Sequence, residues 1–309
     1  MDPRQSNQLS GTTRLRQALS DPKNVVVAPG VFDGITSQIA IASGHQCLYM
    51  TGAGTSMARL GMADLGLCTF TEMHQNAAMI AAIDPTVPVI ADADTGYGGP
   101  INISRTVKAY AQAGIAGLHI EDQVQTKRCG HLSGKKLVSR EEFANRLRAA
   151  CKARDESGSD IVIIARTDAL AGKDPAGNTG FDEAVKRLSM AVEIGVDALF
   201  FEALHSEEEC KLAIERLPKV PCLLNMIPGG RTPVMTNQRA AEIGFRIVIW
   251  PLMGLEAAIP ALQHAYKTLK INGQAPKEAQ LGPEGLFEVC GLQKLMEFDA
   301  SVGGRAYSS

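Results

Sequence analysis

Apolar residues in this chain fall into short, nearly unbroken runs, separated by longer stretches where they recur every third or fourth position. The short runs predict strands beginning near Val25 (VVVAPGVFD), Cys47 (CLYMTGAG), Val87 (VPVIADADTG) and Gly117 (GLHIEDQ). Four more begin near Asp160 (DIVIIARTDAL), Val196 (VDALFFEAL), Val220 (VPCLLNMI) and Phe245 (FRIVIWPL). Continuous apolar runs mark strands covered on both faces, as in a parallel sheet. The intervening stretches have helical spacing. Arg140 to Arg154 places Phe143, Leu147 and Ala150 on one stripe, and Phe181 to Ile194 reads as a second helix. Ser139 stands three residues before Glu142, the spacing of a capping box. Eight strands alternating with helices predict an α/β fold, a closed (β/α)8 barrel of the TIM type and not an open doubly wound sheet. One domain spans residues 1–309, with the barrel at about 25–270. A further helical pattern at about 275–303 (Leu286, Val289, Cys290, Met296) follows the last barrel helix, and a partner subunit would give it something to pack on.

Composition narrows the classes. The 309 residues carry 31 basic and 33 acidic side chains, a formal net charge of −2, with no long run of one sign. A nucleic-acid binder would show a basic face or stripe. The seven cysteines contain no CxxC pair and are odd in number, which argues against a disulfide framework or structural zinc and for a reducing compartment. The start, MDPRQSNQLSGTTRLRQAL, lacks the apolar core of a signal peptide. No apolar stretch reaches the roughly 18 residues of a membrane span. A cytoplasmic protein is expected.

In parallel β/α barrels the chemistry sits at the carboxyl ends of the strands. Here nearly every candidate strand ends in reactive or small residues: Phe32 and Asp33, then Tyr49, Thr51 and Gly52, then Asp92 and Asp94. Glu121 and Asp122 end the fourth, Arg166 and Asp168 the fifth, Glu202 the sixth and Asn225 the seventh. Asp92 and Asp94 stand two apart, so on an extended strand both point to one side. With Glu121 they would crowd carboxylates into one mouth, where like charges repel unless a cation neutralises them. Oxygen donors without nearby His or Cys favour Mg2+ or Mn2+ over zinc. The alternative is that Asp92 and Asp94 only cap the following loop. Lys127, Arg128, Cys129, Gly130 and His131 pack two cations, a thiol and an imidazole together, and neighbouring positive charge lowers a thiol's pKa. A basic loop with an incidental cysteine is the plainer reading. His119, two before Glu121, faces the same interior, as either a satisfied core histidine or part of the site. Cys47, Cys151 and Cys222 read as buried packing.

These motifs resemble the isocitrate lyase and phosphoenolpyruvate mutase superfamily. IEDQ followed by KRCGHLSGK is the most specific; ADADTGYG, ARTDA, Tyr49-x-Thr51-Gly52-Ala53 and NMIPGGRTP support it, and the likeness runs from about Val25 to Lys270. The resemblance implies a (β/α)8 barrel whose last helix is exchanged between subunits, usually of a homotetramer. It implies Mg2+ near Asp94, with Asp92, Glu121 and Asp64 of the MADLG segment close by, partly through water. It assigns Thr51, Gly52 and Ala53, with Tyr49, to a carboxylate-binding turn, and Arg166, Glu202 and Asn225 to other polar contacts. Lys127, Arg128, Cys129, Gly130 and His131 form a mobile gate. Cys129 is then the general acid that protonates an enediolate, His131 orients the gate or touches a carboxylate, and Tyr49 is a candidate base.

The implied reaction is cleavage of a carbon–carbon bond in a small 2-hydroxy dicarboxylate. Isocitrate itself is disfavoured, because its lyases are longer. In members acting on methylisocitrate the loop after strand seven reads like NITEFGATP; here Asn225 to Pro233 reads NMIPGGRTP, with Ile227 in place of a threonine. Trp250 and Met253 make the mouth more apolar on this reading, which suits a methyl-bearing dicarboxylate such as 2,3-dimethylmalate. Thr232, beside Pro233, leans the same way, since members that hydrolyse oxaloacetate tend to have serine there. Oxaloacetate hydrolysis is the alternative, then methylisocitrate cleavage, and a barrel that binds a dicarboxylate without turnover is the non-enzymatic one.

Overall fold

The structure, a computed structural model, describes residues 9–278 and 280–307. The first eight residues of the polar start, Ala279 in the C-terminal extension and the last two residues lie outside the described residues. Eight parallel strands close into a barrel in chain order. They are β1 (Val26–Val31), β2 (Leu48–Met50), β3 (Val89–Asp92) and β4 (Gly117–Glu121). The second half comprises β5 (Val162–Thr167), β6 (Ala198–Phe201), β7 (Cys222–Asn225) and β8 (Ile247–Trp250), which pairs with β1. Each expected strand is present. Helix α1 (Gly11–Ser20) precedes β1, and α2 (Gly34–Ala42), α3 (Gly52–Leu60) and α4 (Phe70–Ile83) follow the first two strands. Next come α5 (Pro100–Gln112), α6 (Arg140–Glu156), α7 (Phe181–Ile194), α8 (Glu207–Arg216) and α9 (Asn237–Ile243). Last are α10 (Met253–Asn272), α11 (Gly282–Glu288) and α12 (Leu292–Ser301).

Strand alternation sorts the core into two layers. Tyr49, Ile90, Ile164, Phe200, Leu223, Ile247 and Ile249 fill the barrel interior. Their neighbours Met50, Ala91, Ala165, Leu199, Leu224 and Val248 face the helices. Continuing the inward parity toward the carboxyl ends gives Thr51, Asp92, Glu121, Arg166, Asp168, Glu202 and Asn225, all buried. The apolar interior is therefore the floor on which the polar mouth stands. Its opposite end is plugged by α1, whose Leu15 is 1% exposed within the interior cluster. The Arg246 side chain donates to the carbonyls of Ala18 and Leu19 at the end of this helix. Polar composition hides α1 in the sequence, because one apolar anchor suffices for a plug.

Several expectations change on folding. Asp33 does not face the mouth: it caps α2 reciprocally with Thr36. Ser139 caps α6 by accepting from the Glu142 amide, but the box is not closed, since Glu142 turns to pair with Arg146 at 2.8 Å. Arg146 in turn donates to the carbonyls of Glu121 and Gln123, fixing the end of β4. The C-terminal pattern is two helices, because Gly291 takes a left-handed conformation (φ 80°) between them. None of α10, α11 or α12 buries a residue, and Tyr266, Ile271, Leu286, Phe287, Leu295 and Phe298 are all exposed.

Beneath the mouth, Arg187 is fully buried and meets Asp122 at 3.3 Å, Asp174 at 3.0 Å and Glu183 at 2.8 Å. Asp122, read from the sequence as a strand-end polar residue, thus belongs to a structural network and accepts from the Asp168 amide and the Thr167 hydroxyl. Removing the guanidinium would strand buried carboxylates. Arg187→Met should cost about 3–5 kcal/mol in urea unfolding; an unchanged midpoint would show that the carboxylates find other partners.

Candidate active site

The mouth is organised by Arg166, Lys127 and Lys135, three permanent cations among six carboxylates. Arg166 Nε lies 2.9 Å from Asp168 and 3.2 Å from Glu121, and its Nη2 is 3.6 Å from Glu202. The guanidinium also stands 5.1 Å from the centre of the Phe200 ring. Lys127 Nζ is 2.5 Å from both Asp64 and Asp94. Lys135 Nζ is 2.7 Å from Asp168. Burial pushes Asp92 up and Asp94 up to about 7, although Lys127 pulls both the other way. Glu121 is driven well above the carboxylate range, first by burial and against the pull of Arg166.

Asp94 reaches this cluster by a route other than the expected one. The strand ends at Asp92, and Asp94 adopts a left-handed backbone (φ 47°) that turns it back so that its amide donates to Asp92 Oδ1 at 2.8 Å. Asp92 itself presses against the first turn of α3. A Cβ at Gly52 would lie 2.3 Å from Asp92 Oδ2, so only glycine admits this approach to the positive end of the helix. Thr51 caps α3 through its hydroxyl, which accepts from the Gly54 amide.

The donor set fits a hard divalent cation. Among the described residues no three acidic, His or Cys side chains are gathered closely enough to cage an ion unaided. Asp94 Oδ1 and Glu121 Oε2 are buried and make no well-directed hydrogen bond, although Lys127 Nζ stands 2.5 Å from the first and Arg166 Nε 3.2 Å from the second. Such oxygens suit Mg2+, which takes few protein carboxylates and fills the rest of its shell with water and substrate oxygens.

The loop from Val124 to Lys136 lies across the mouth. Cys129, Gly130 and His131 line a cavity of about 40 Å³ together with Tyr49, Thr51, Ala53, Asp64 and Asp92. Arg166, Glu202, Asn225, Ile227, Pro251 and Leu252 complete it. Gly130 is packed so closely that a Cβ would stand 2.6 Å from both Arg166 and Glu202. His131 Nδ1 accepts from the Arg231 amide at 2.9 Å, leaving Nε2 to face Glu202 at 3.2 Å. Asn225 Nδ2 also donates to Glu202, while its Oδ1, at the cavity, has no partner. Tyr49 OH meets His119 Nε2 at 2.8 Å. Burial holds the phenol proton and keeps the imidazole neutral, so Tyr49 fits a hydrogen-bond donor better than a base.

Other sequence expectations shift. The Cys129 thiol is raised, not lowered: burial outweighs the attraction of Arg166, and the thiol keeps its proton. Arg128 is exposed and donates to the Ser133 carbonyl, away from the cavity. Thr232 is buried and Pro233 partly so, but neither lines the cavity. Trp250 follows inward-facing Ile249, so it points outward and donates to Asn237; Met253 is 45% exposed. The apolar wall is instead Ile227, Pro251 and Leu252. Lys135 and Gln123 were not singled out. Gln123 donates to Glu121 and to the Arg128 carbonyl, tying the strand end to the gate. Their only signal in the sequence is their place inside the IEDQ and KRCGHLSGK motifs.

The phosphoenolpyruvate phosphomutase family model matches residues 15–270. The 2,3-dimethylmalate lyase of Eubacterium barkeri is 40% identical over 85% of this chain and 87% of its own. A crystal structure of 2,3-dimethylmalate lyase, itself a PEP mutase/isocitrate lyase superfamily member, superposes with a TM-score of 0.93 at 47% identity, covering 97% of this chain and 98% of the other. A structure of oxaloacetate acetylhydrolase with 3,3-difluorooxalacetate gives 0.92 at 44% identity, covering 96% and 99%. With its barrel closed in chain order and the gate motif folded over the strand ends, the chain belongs to the phosphoenolpyruvate mutase/isocitrate lyase superfamily.

Proposed function

We propose that this protein is a Mg2+-dependent lyase that cleaves the C2–C3 bond of a 2-alkylmalate such as 2,3-dimethylmalate, giving pyruvate and a short carboxylic acid. The observation that carries the reading is the Cys129 thiol at the edge of a small cavity that Arg166 and an apolar wall also line, with burial raising the thiol. Mn2+ would serve the same donors.

A dianionic substrate is better received in a mouth of six carboxyl groups and three cations once a divalent cation adds positive charge. Asp94, Asp92, Glu121 and Asp64 would hold the ion, directly or through water, and it would polarise the 2-oxygen and its neighbouring carboxylate. The amides opening α3 at Gly52 and Ala53 receive one carboxylate, with Thr51 fixing the turn. Once a base in the mouth takes the hydroxyl proton, C2–C3 breaks, its electron pair passes to C3, and negative charge builds on the departing enediolate. Arg166 faces that charge, and Cys129 hands its proton to the carbon. The closed gate excludes water that would intercept the carbanion.

Ile227, Pro251 and Leu252 accept methyl groups and offer nothing to a third carboxylate, which favours an alkylmalate over methylisocitrate. Hydrolysis of oxaloacetate is the second reading, favoured by the 0.92 match to a structure of that specificity. Thr232 does not separate the two, since it does not line the cavity. We further propose that the exposed apolar helices α10 to α12 are covered by other copies of the chain in a homotetramer, with the terminal helix exchanged between neighbours. Among the described residues no helix is long and apolar enough to cross a membrane.

Four measurements follow. Purified protein with Mg2+ should release pyruvate from 2,3-dimethylmalate with higher kcat/KM than oxalate from oxaloacetate; the reverse order would make it a hydrolase. Cys129→Ser should lower kcat by about 10²–10⁴ while Mg2+-dependent pyruvate binding survives. A proton donor must be protonated to act, and its folded pKa is raised, so wild-type kcat should hold through neutral pH and fall only above the ordinary thiol value of 9.0. A limb well below it would assign the proton elsewhere. Light scattering should give a mass near four times 32.9 kDa, and a monomer would leave the apolar helices unexplained.

A further inference from the structure

The gate loop is anchored unevenly. Its trailing leg is held by backbone: Val124 donates to the Lys136 carbonyl, Leu137 to Lys173 and Val138 to Asp122, each within 2.9 Å. The tip from Lys127 to Gly134 instead depends largely on side chains. On one flank Arg231 grips the His131 carbonyl and Ser133. On the other side Lys127 reaches Asp64 and Asp94, Gln123 ties the Arg128 backbone, and Lys135 holds Gly130. Lys135 is buried to 4% exposure, an uncommon place for an ammonium without full pairing. Its Nζ donates to the Gly130 carbonyl at 2.5 Å and to Asp168 Oδ1 at 2.7 Å.

Both partners matter to the reaction centre. Gly130 follows Cys129 and is wedged against Arg166 and Glu202. Asp168 is the carboxylate that orients Arg166, at 2.9 Å through Nε and 3.3 Å through Nη2, and its own amide is fixed by Asp122. One rigid carboxylate therefore holds the guanidinium that faces the substrate and, through Lys135, the peptide that carries the thiol.

We propose that Lys135 is the positioning residue of the gate: by bridging the Gly130 carbonyl and Asp168 it seats Cys129 opposite Arg166. Lys135 touches neither the cavity nor the expected ion ligands; it acts through what it places. With the latch released, Asp168 still pairs with Arg166, so the barrel persists while the loop tip loosens. The kinetic part of this inference rests on the lyase reading; the structural part does not.

The test is amide hydrogen exchange on the full-length protein, compared for wild type, Lys135→Met, Lys135→Arg, Asp168→Asn and Lys135→Met/Asp168→Asn. In Lys135→Met, amides of residues 127–134 should exchange about tenfold faster, as losing one charge-assisted hydrogen bond allows, while β5 and β6 stay protected. Lys135→Arg, which keeps charge and donors, should recover much of that protection. In the double variant, Asp168→Asn should add less than the loss seen when it is made in the wild type, since part of that loss runs through Lys135 and the rest through Arg166. On 2,3-dimethylmalate, kcat of Lys135→Met should fall at least about tenfold with a smaller change in KM, the pattern of a displaced proton donor. Wild-type exchange at the tip of Lys135→Met would overturn the latch, as would faster exchange spread evenly through the barrel. A tip that loosens in a protein turning over neither substrate would leave the latch standing and sink the lyase reading. Should Lys135→Met fail to fold, Lys135→Gln, which keeps a donor to Gly130 but offers Asp168 no charge, carries the same exchange comparison.

Discussion

Six carboxylates and three permanent cations share the mouth of this barrel, and five of those carboxylates are buried. Crowding of like charge in a poorly hydrated space raises the energy of every ionised form present. The structure manages it by sharing: Arg166 among Asp168, Glu121 and Glu202, and Lys127 between Asp64 and Asp94. Sharing leaves oxygens of Asp94 and Glu121 without hydrogen bonds. A site of this kind has room in its electrostatics for added positive charge, which is why the proposed reaction places a divalent cation there. The same burial that raises the carboxyl groups also raises the Cys129 thiol and the Tyr49 phenol, so one desolvated environment favours the protonated form of each.

Rigidity is distributed to serve that mouth. The apolar barrel interior forms its floor, and Arg146 and Arg187 brace the strand ends from below through the carbonyls of Glu121 and Gln123 and through Asp122. These guanidiniums are the structural counterparts of Arg166, doing with backbone and buried carboxylates what Arg166 does beside the cavity. Above the floor, the gate is bound mostly by side-chain contacts, each worth little after exchange with water. A loop held this way can open without disturbing the strands that carry the carboxylates. A chemistry that must admit its substrate and then shut out water needs that division.

The outer surface has a constraint of its own. Helices α10 to α12 expose Tyr266, Ile271, Phe287 and Phe298, yet bury nothing in their own chain. Amphipathic helices without a partner do not persist on propensity alone. Their apolar faces and the polar mouth sit on one scaffold.

Periodicity alone determined the architecture: eight apolar runs and their helical spacers admit few folds, and each run became a strand because sheet burial rewards that pattern. Strand parity placed Asp92, Glu121, Arg166, Glu202 and Asn225 in the mouth, because alternation is a local property of extended backbone. The motif around Cys129 marked the gate. What required the tertiary structure were quantities set by distant segments. Whether Cys129 is acidified or kept protonated depends on burial against charge, and burial is decided by what packs over the loop. Asp94 joins the cluster through a left-handed turn that parity cannot foresee. Trp250 and Met253 yielded the wall to Ile227, Pro251 and Leu252, since the chain bends after β8 and the next inward positions fall in a loop. Lys135 found its partner at Asp168, 33 residues away, and no spacing rule joins them; only the folded barrel brings that ammonium and that carboxylate to 2.7 Å.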